Sequence, residues 1–116
     1  MENSFIEDIT VFHKKIHITA KRIDTDLIIE IIGGDRPHIG AITAGNYKHQ
    51  TQSIVFDIHK EFYFTEEWLI RLRKKFSGNI LIYSGVHYSQ ITNEQLKVLT
   101  SKIDNVYSQV EEWLKK

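Results

Sequence analysis

Apolar and polar positions alternate along residues 9–22, where Ile16, Ile18 and Ala20 interleave with Lys15, His17 and Thr19. A period of two predicts a strand from about Ile9 to Arg22, with one face buried and one in water. Asp24-Thr25-Asp26 is a turn signal. Leu27 to Ile32 is a nearly unbroken apolar run that predicts a second strand, paired with the first as a hairpin. Its isoleucines call for cover on both faces, or for a partner against the second. Gly33 to His38 breaks the pattern. Ile39 to Tyr47 then reads as a strand rich in small residues (Gly40, Ala41, Ala44 and Gly45), which permits close approach of a ligand, a helix or another backbone. Beyond the polar turn His49–Gln52, Ile54, Phe56 and Ile58 alternate with Val55, Asp57 and His59 and predict a fourth strand.

From residue 65 the period changes. Thr65 reads as an N-cap followed by Glu66 and Glu67, and Trp68, Leu69, Leu72 and Phe76 fall at helical spacing up to a stop at Ser77-Gly78-Asn79. Ile80 to Tyr83 predicts a short buried strand, ended by Ser84–Gln90. Thr92 with Gln95 forms a capping box for a last helix. Leu96, Leu99, Ile103, Val106, Val110 and Trp113 make a stripe that lies across a sheet or serves as a dimer seam, the sheet being the commoner case. The elements add up to one α+β domain over residues 1–116. It is a mostly antiparallel sheet of about five strands with two helices on one face, the C-terminal helix long.

Composition narrows the function. Fifteen Lys and Arg meet fifteen Asp and Glu, so the chain lacks the cationic excess that gripping nucleic acid requires. No apolar run approaches the ~20 residues of a membrane span, and the N-terminus has no signal-peptide pattern. The chain contains no cysteine, which excludes disulfides, thiol nucleophiles and thiolate metal sites; a reduced intracellular compartment is compatible with this.

Two segments hold chemistry. In Gly33–Ala41, GGDRPHIGA, adjacent glycines free the backbone, successive amides can form an anion nest, and Arg36 adds a fork suited to phosphate. The plainer reading is a hairpin loop with an exposed arginine. In Ser84–Thr92, SGVHYSQIT, the amides at the start of the last helix favour anions, and His87 and Tyr88 supply a titrating group and an aromatic face. The plainer reading is a strand-to-helix connection. Neither segment matches a P-loop or a dinucleotide fingerprint. His13 and His17 are four apart in a strand, roughly 13 Å, too far to share a metal. Ser84 or Ser89 with His87 lacks a nucleophile-elbow sequence. Asp57 and Glu61 read as solvent-facing, Phe62-Tyr63-Phe64 as packing at the helix–sheet joint, and Arg71, Lys74 and Lys75 as a solvated helix face. No catalytic set emerges, and a metal site is open only to His38, His87 and a carboxylate such as Asp35 if folding brings them together.

GGDRPHIGA resembles the small D-subunit family associated with UbiD-type hydroxyarylic acid decarboxylases, described as prenylated-flavin chaperone-like proteins. GVHYSQITNEQL, Gly85–Leu96, resembles the segment before the final helix in that family, and the order of elements is similar over nearly the whole chain. The family is similar in fold to proteasome-assembly-chaperone domains, whose protomers pair into dimers. The resemblance implies a non-catalytic accessory protein of a bacterial cytoplasm. It would bind or deliver prenylated FMN, or FMN, to a UbiD-like aromatic acid decarboxylase and would work as a homodimer without nucleic acid or membrane. It further implies cofactor contacts at Gly33, Gly34, Asp35, Arg36, His38, Gly40, Gly85 and His87. Two other functions fit the residues: a small decarboxylase subunit lending His38 and His87 as acid–base groups, and a purely structural dimeric module.

Overall fold

The computed structural model describes residues 3–48, 51–57 and 64–116. The elements run β1 (Ser4–Val11), β2 (Lys14–Ile23), β3 (Asp26–Gly34), β4 (Ala41–Gly45), β5 (Gln52–Val55), α1 (Thr65–Leu72), β6 (Ile80–His87) and α2 (Asn93–Leu114). The strands form one six-stranded sheet of order β1-β2-β3-β6-β4-β5. The α+β class and the long final helix agree with the sequence reading. The sheet has six strands rather than about five, and it is mixed rather than mostly antiparallel, because β3 pairs with β6 in parallel.

The extra strand comes from residues 9–22, which are not one strand. Phe12 and His13 both take positive φ, 51° and 66°, and turn β1 back onto β2 in a two-residue hairpin. The residues that usually mark such a turn are Gly, Asn and Asp, and neither Phe nor His announces it. The β2–β3 hairpin is found where Asp24-Thr25 places it, with Asp24 at φ 53°. Gly33 and Gly34 extend β3 instead of breaking it, and β6 continues to His87 instead of stopping at Tyr83. β4 and β5 are both shorter than the hydrophobic alternation predicts. His49, Ile58, His59, Glu61, Phe62 and Tyr63 lie outside the described residues.

One face of the sheet is core. Ile16, Ile18 and Ala20 of β2, Leu27, Ile29 and Ile31 of β3, and Ile80, Ile82 and Val86 of β6 are buried against the two helices. The stripe of α2 lies across this face: Leu99, Ile103, Val106, Tyr107, Val110 and Trp113 are buried. At 22 residues and ~1.5 Å per residue the helix is about 33 Å long. Its capping box is present, Gln95 N–H donating to Thr92 Oγ1 at 3.1 Å and Thr92 N–H to Gln95 Oε1 at 3.0 Å. No basic residue sits in its last turn, so Arg22 of β2 supplies the cation, donating to Leu114 O at 3.1 Å over the Trp113 ring at 4.7 Å. α1 is joined to α2 by Trp68 edge-on to Tyr107 at 5.2 Å, and by Arg71, which lies 3.7 Å from the Tyr107 ring and donates to Asp104 at 2.6 Å. Thr65 is not the N-cap of α1. Phe64 occupies that position, and the Thr65 hydroxyl accepts from Thr43 Oγ1 at 2.8 Å, tying the helix to β4.

Among the described residues no helix covers the other face. Ile6, Ile23, Ile54 and Leu81 are exposed on it, beside half-buried Ile28, Ile32 and Ile42. Ile82 sits at the centre of the covered face with no exposure. Ile82→Ala is expected to lower unfolding free energy by about 2–5 kcal/mol, read from urea midpoints.

Candidate functional site

The sheet order requires the chain to leave β3, pass over β6 and come down as β4 on the far side. Residues 35–40 make that crossing, and the crossing explains the glycines. A Cβ on Gly85 would fall on the His38 carbonyl oxygen, so only glycine lets the loop lie on β6. Gly34 is at φ +82°, and a Cβ there would meet the His87 carbonyl. A Cβ on Gly33 would meet Lys15 O and Ile16, and one on Gly40 the Asp57 carboxylate. Each of the four is accounted for by the protein's own packing.

The two segments read separately from the sequence meet here, with Gly33 opposite Val86 and Gly34 opposite His87 in the parallel ladder. Two amides of the crossover are engaged: Asp35 N–H donates to His87 O at 2.6 Å, and Gly40 N–H to Ser84 O at 2.8 Å. The Asp35 carboxylate accepts from Ser89 N–H at 2.7 Å and lies 3.9 Å from Lys14 Nζ. That backbone hydrogen bond above all, helped by Lys14 and His87, holds the Asp35 carboxyl below the usual range. His38 points Nδ1 at Arg36 O, 2.9 Å, and Nε2 at Asp57 Oδ2, 2.7 Å. Both ring nitrogens therefore face protein oxygens. Asp57, read from sequence as merely solvent-facing, is thus the partner that pins the crossover to the chain after β5, with Phe56 N–H and Asp57 N–H both donating to Gly40 O. No local signal marks a pair nineteen residues apart. Behind the crossover, the Tyr88 hydroxyl donates to Val11 O at 2.7 Å, and burial pushes the group up to about 12. Arg36 and Ile39 project outwards and are exposed.

The opposite end of the sheet is built differently. Of the basic run read as a helix face, Arg71 lies in the last turn of α1, but Lys74 and Lys75 lie beyond it, because α1 ends at Leu72 and residues 73–75 form a turn. This turn and Tyr47 enclose an open groove of about 680 Å³. Among the described residues no group of three His, Asp or Glu side chains could hold a metal, and no helix is long and apolar enough to cross a membrane.

Comparison with known proteins places the whole arrangement. Residues 11–115 match the profile of the prenylated flavin chaperone LpdD-like domain. Protein LpdD of Lactiplantibacillus plantarum is 29% identical over 97 residues, covering 79% of this chain and 71% of that protein. Among solved structures, a chain from the crystal structure of a novel chaperone complex for yeast 20S proteasome assembly superposes with a TM-score of 0.44 at 10% identity, over 90% of this chain and 98% of that one.

Gly85→Ala is expected to destabilise the fold by at least about 2 kcal/mol, since backbone must move to admit the methyl group, while Arg36→Ala changes stability by under about 0.5 kcal/mol. Both are read from denaturant midpoints. The Asp35 contact also sets a pH dependence. A carboxylate whose folded value is depressed contributes stability above the ordinary value of 3.8 and loses it as pH falls through the lower folded value. The stability difference between wild type and Asp35→Ala should therefore be full at neutral pH and shrink progressively below pH 3.8, measured by urea titration at each pH.

Proposed function

The chain belongs to the prenylated flavin chaperone LpdD-like domain family, and from that footing we propose that it carries prenylated FMN to a UbiD-like aromatic acid decarboxylase in the cytoplasm. Its role is that of an accessory chaperone for prenylated flavin. The observation that carries the reading is the match across residues 11–115, which takes in the crossover, both helices and five of the six strands in full.

The crossover supports a docking role within this proposal. Its polar groups bond to one another, which makes it rigid, and it presents Arg36 and Ile39 outwards beside Pro37. A preformed projection carrying an arginine and an aliphatic side chain suits an anchor for a protein partner. We assign it to the decarboxylase. The acid–base alternative gains little from the geometry, since His38 already faces two acceptors.

The uncovered sheet face supports a homodimer. Ile28, Ile32, Ile42, Ile54 and Leu81 form an apolar band across β3, β6, β4 and β5, and a second copy would remove it from water. On the β1–β2 side the polar groups pair internally: His17 lies 2.5 Å from Asp8 and 3.8 Å from Glu30, and the Tyr83 hydroxyl donates to Glu30 at 2.6 Å.

In a strain making a UbiD-like decarboxylase, co-expression of this chain should raise the fraction of enzyme purified with prenylated FMN and the activity per enzyme. The chain alone should turn over no aromatic acid. Equal cofactor occupancy with and without it would defeat the proposal. Leu81→Lys should convert the dimer to monomer in sedimentation velocity while leaving the circular dichroism spectrum intact.

A further inference from the structure

We infer that the outer edge of β1 receives an extended segment of a partner protein as an added strand, with a basic residue opposite Glu7 and an apolar one opposite Phe5. β1 ends the sheet, and among the described residues no chain pairs with its outer side. The bond from Arg22 N–H to Asn3 O at 2.8 Å fixes the alternation along the strand. Phe5, Glu7, Ile9 and Val11 exchange hydrogen bonds with β2, so Ser4, Ile6, Asp8 and Thr10 turn their amides and carbonyls outwards. Sheet edges are commonly closed by proline, lysine or a bulge. β1 has neither residue, and its register with β2 runs unbroken from Ser4–Lys21 to Val11–Lys14. On such an edge the main-chain groups give affinity for an added strand, and pockets for its alternate side chains give selection.

A pocket of that kind lies beside the edge. Phe5 and Ile6 of β1, with Gln109 and Trp113 of α2, line a groove of about 420 Å³. The Phe5 and Trp113 ring centres are 6.1 Å apart, which gives the groove an aromatic wall. Trp113 is 5% exposed, and its buried indole N–H has no acceptor among the described residues. An unpaired buried donor is unfavourable, and an oxygen brought in by an added strand would satisfy it. Charge selects the occupant. Two copies of β1 paired antiparallel over nearly their whole length would set Glu7 against Glu7 or Asp8 against Asp8, because outward-bonding residues must oppose one another. Like charges directly opposed disfavour a second copy. Asp8 is answered by His17 within the chain, whereas Glu7 lies on the helix side, two residues from Phe5. A segment with a basic and an apolar residue two apart matches both positions.

Amide-resolved NMR of the full-length chain with synthetic heptapeptides tests the assignment. The probes are TVTKTLT, its glutamate form TVTETLT, and TVTKPLT, whose proline lacks the amide that would face Ile6. Wild type should take TVTKTLT with slowed exchange at the Ile6, Asp8 and Thr10 amides and a shifted Trp113 indole N–H, the Trp68 indole unmoved. TVTETLT should bind about fivefold more weakly, and TVTKPLT more weakly still. Glu7→Lys should reverse the preference between the lysine and glutamate peptides, which misfolding would not do. Ile6→Pro removes an outward amide and no bond to β2, and it should weaken every peptide; melting curves check that both variants fold. Absence of any shift along β1 at millimolar peptide, or equal binding of all three peptides, would overturn the proposal. Slow exchange at Ile6 and Asp8 in the chain alone, growing with its concentration, would give the edge to a second copy and overturn it too. The edge is separate from the crossover and from the apolar band, so failure here leaves the chaperone reading standing.

Discussion

The parallel pairing of β3 with β6 is the constraint on which the rest of the structure depends. Two antiparallel neighbours can be joined by a short turn, but a parallel pair with β4 on its far side obliges the chain to cross the end of β6. The crossing is only six residues long and lies directly on the strand beneath. A side chain at position 85 would forbid it, and the loop needs polar partners once pressed there. Asp35 finds Ser89 and His38 finds Asp57, so the loop is closed by contacts on both flanks. The sequence GGDRPHIGA is, in these terms, the local solution to a topological demand.

That origin explains what could and could not be read from the residues. Periodicity gave the helices, since an amphipathic stripe such as Leu99–Trp113 encodes its own buried face. The capping box was legible because both of its hydrogen bonds are local. The Phe12–His13 turn was hidden, since its positive φ angles are imposed by the hairpin on residues that do not favour them. The extension of β6 through Gly85 to His87 was hidden too. Its partner is β3, more than fifty residues away, and glycine and serine in a strand look like a loop until the crossing chain is seen. The motif's position was evident from the start, and its two halves do meet. Its glycines at 33, 34, 40 and 85 are accounted for by packing, which only the folded chain shows. Asp57 and the 73–75 turn were passed over for the same reason: one acts through a distant partner, and the other takes its character from where a helix stops.

A protein that carries a reactive cofactor for another enzyme has different needs from an enzyme. It requires a hold on the ligand, a surface for the recipient and no groups that consume the cargo. The one-sided sheet keeps its distinct surfaces in separate places. The covered face supplies stability, the other carries an open apolar band, and the two ends of β6, roughly 23 Å apart along the strand, carry different chemistry. One end is a rigid crossover whose polar groups face inwards. The other is a cationic, aromatic groove open to solvent.

The most direct test of the constraint that the β3–β6 pairing imposes is amide hydrogen exchange, resolved by NMR, along the crossover. The account predicts slow exchange at Asp35 and Gly40, whose N–H groups donate to His87 O and Ser84 O of β6. Exchange at both as fast as in an unstructured chain would contradict it.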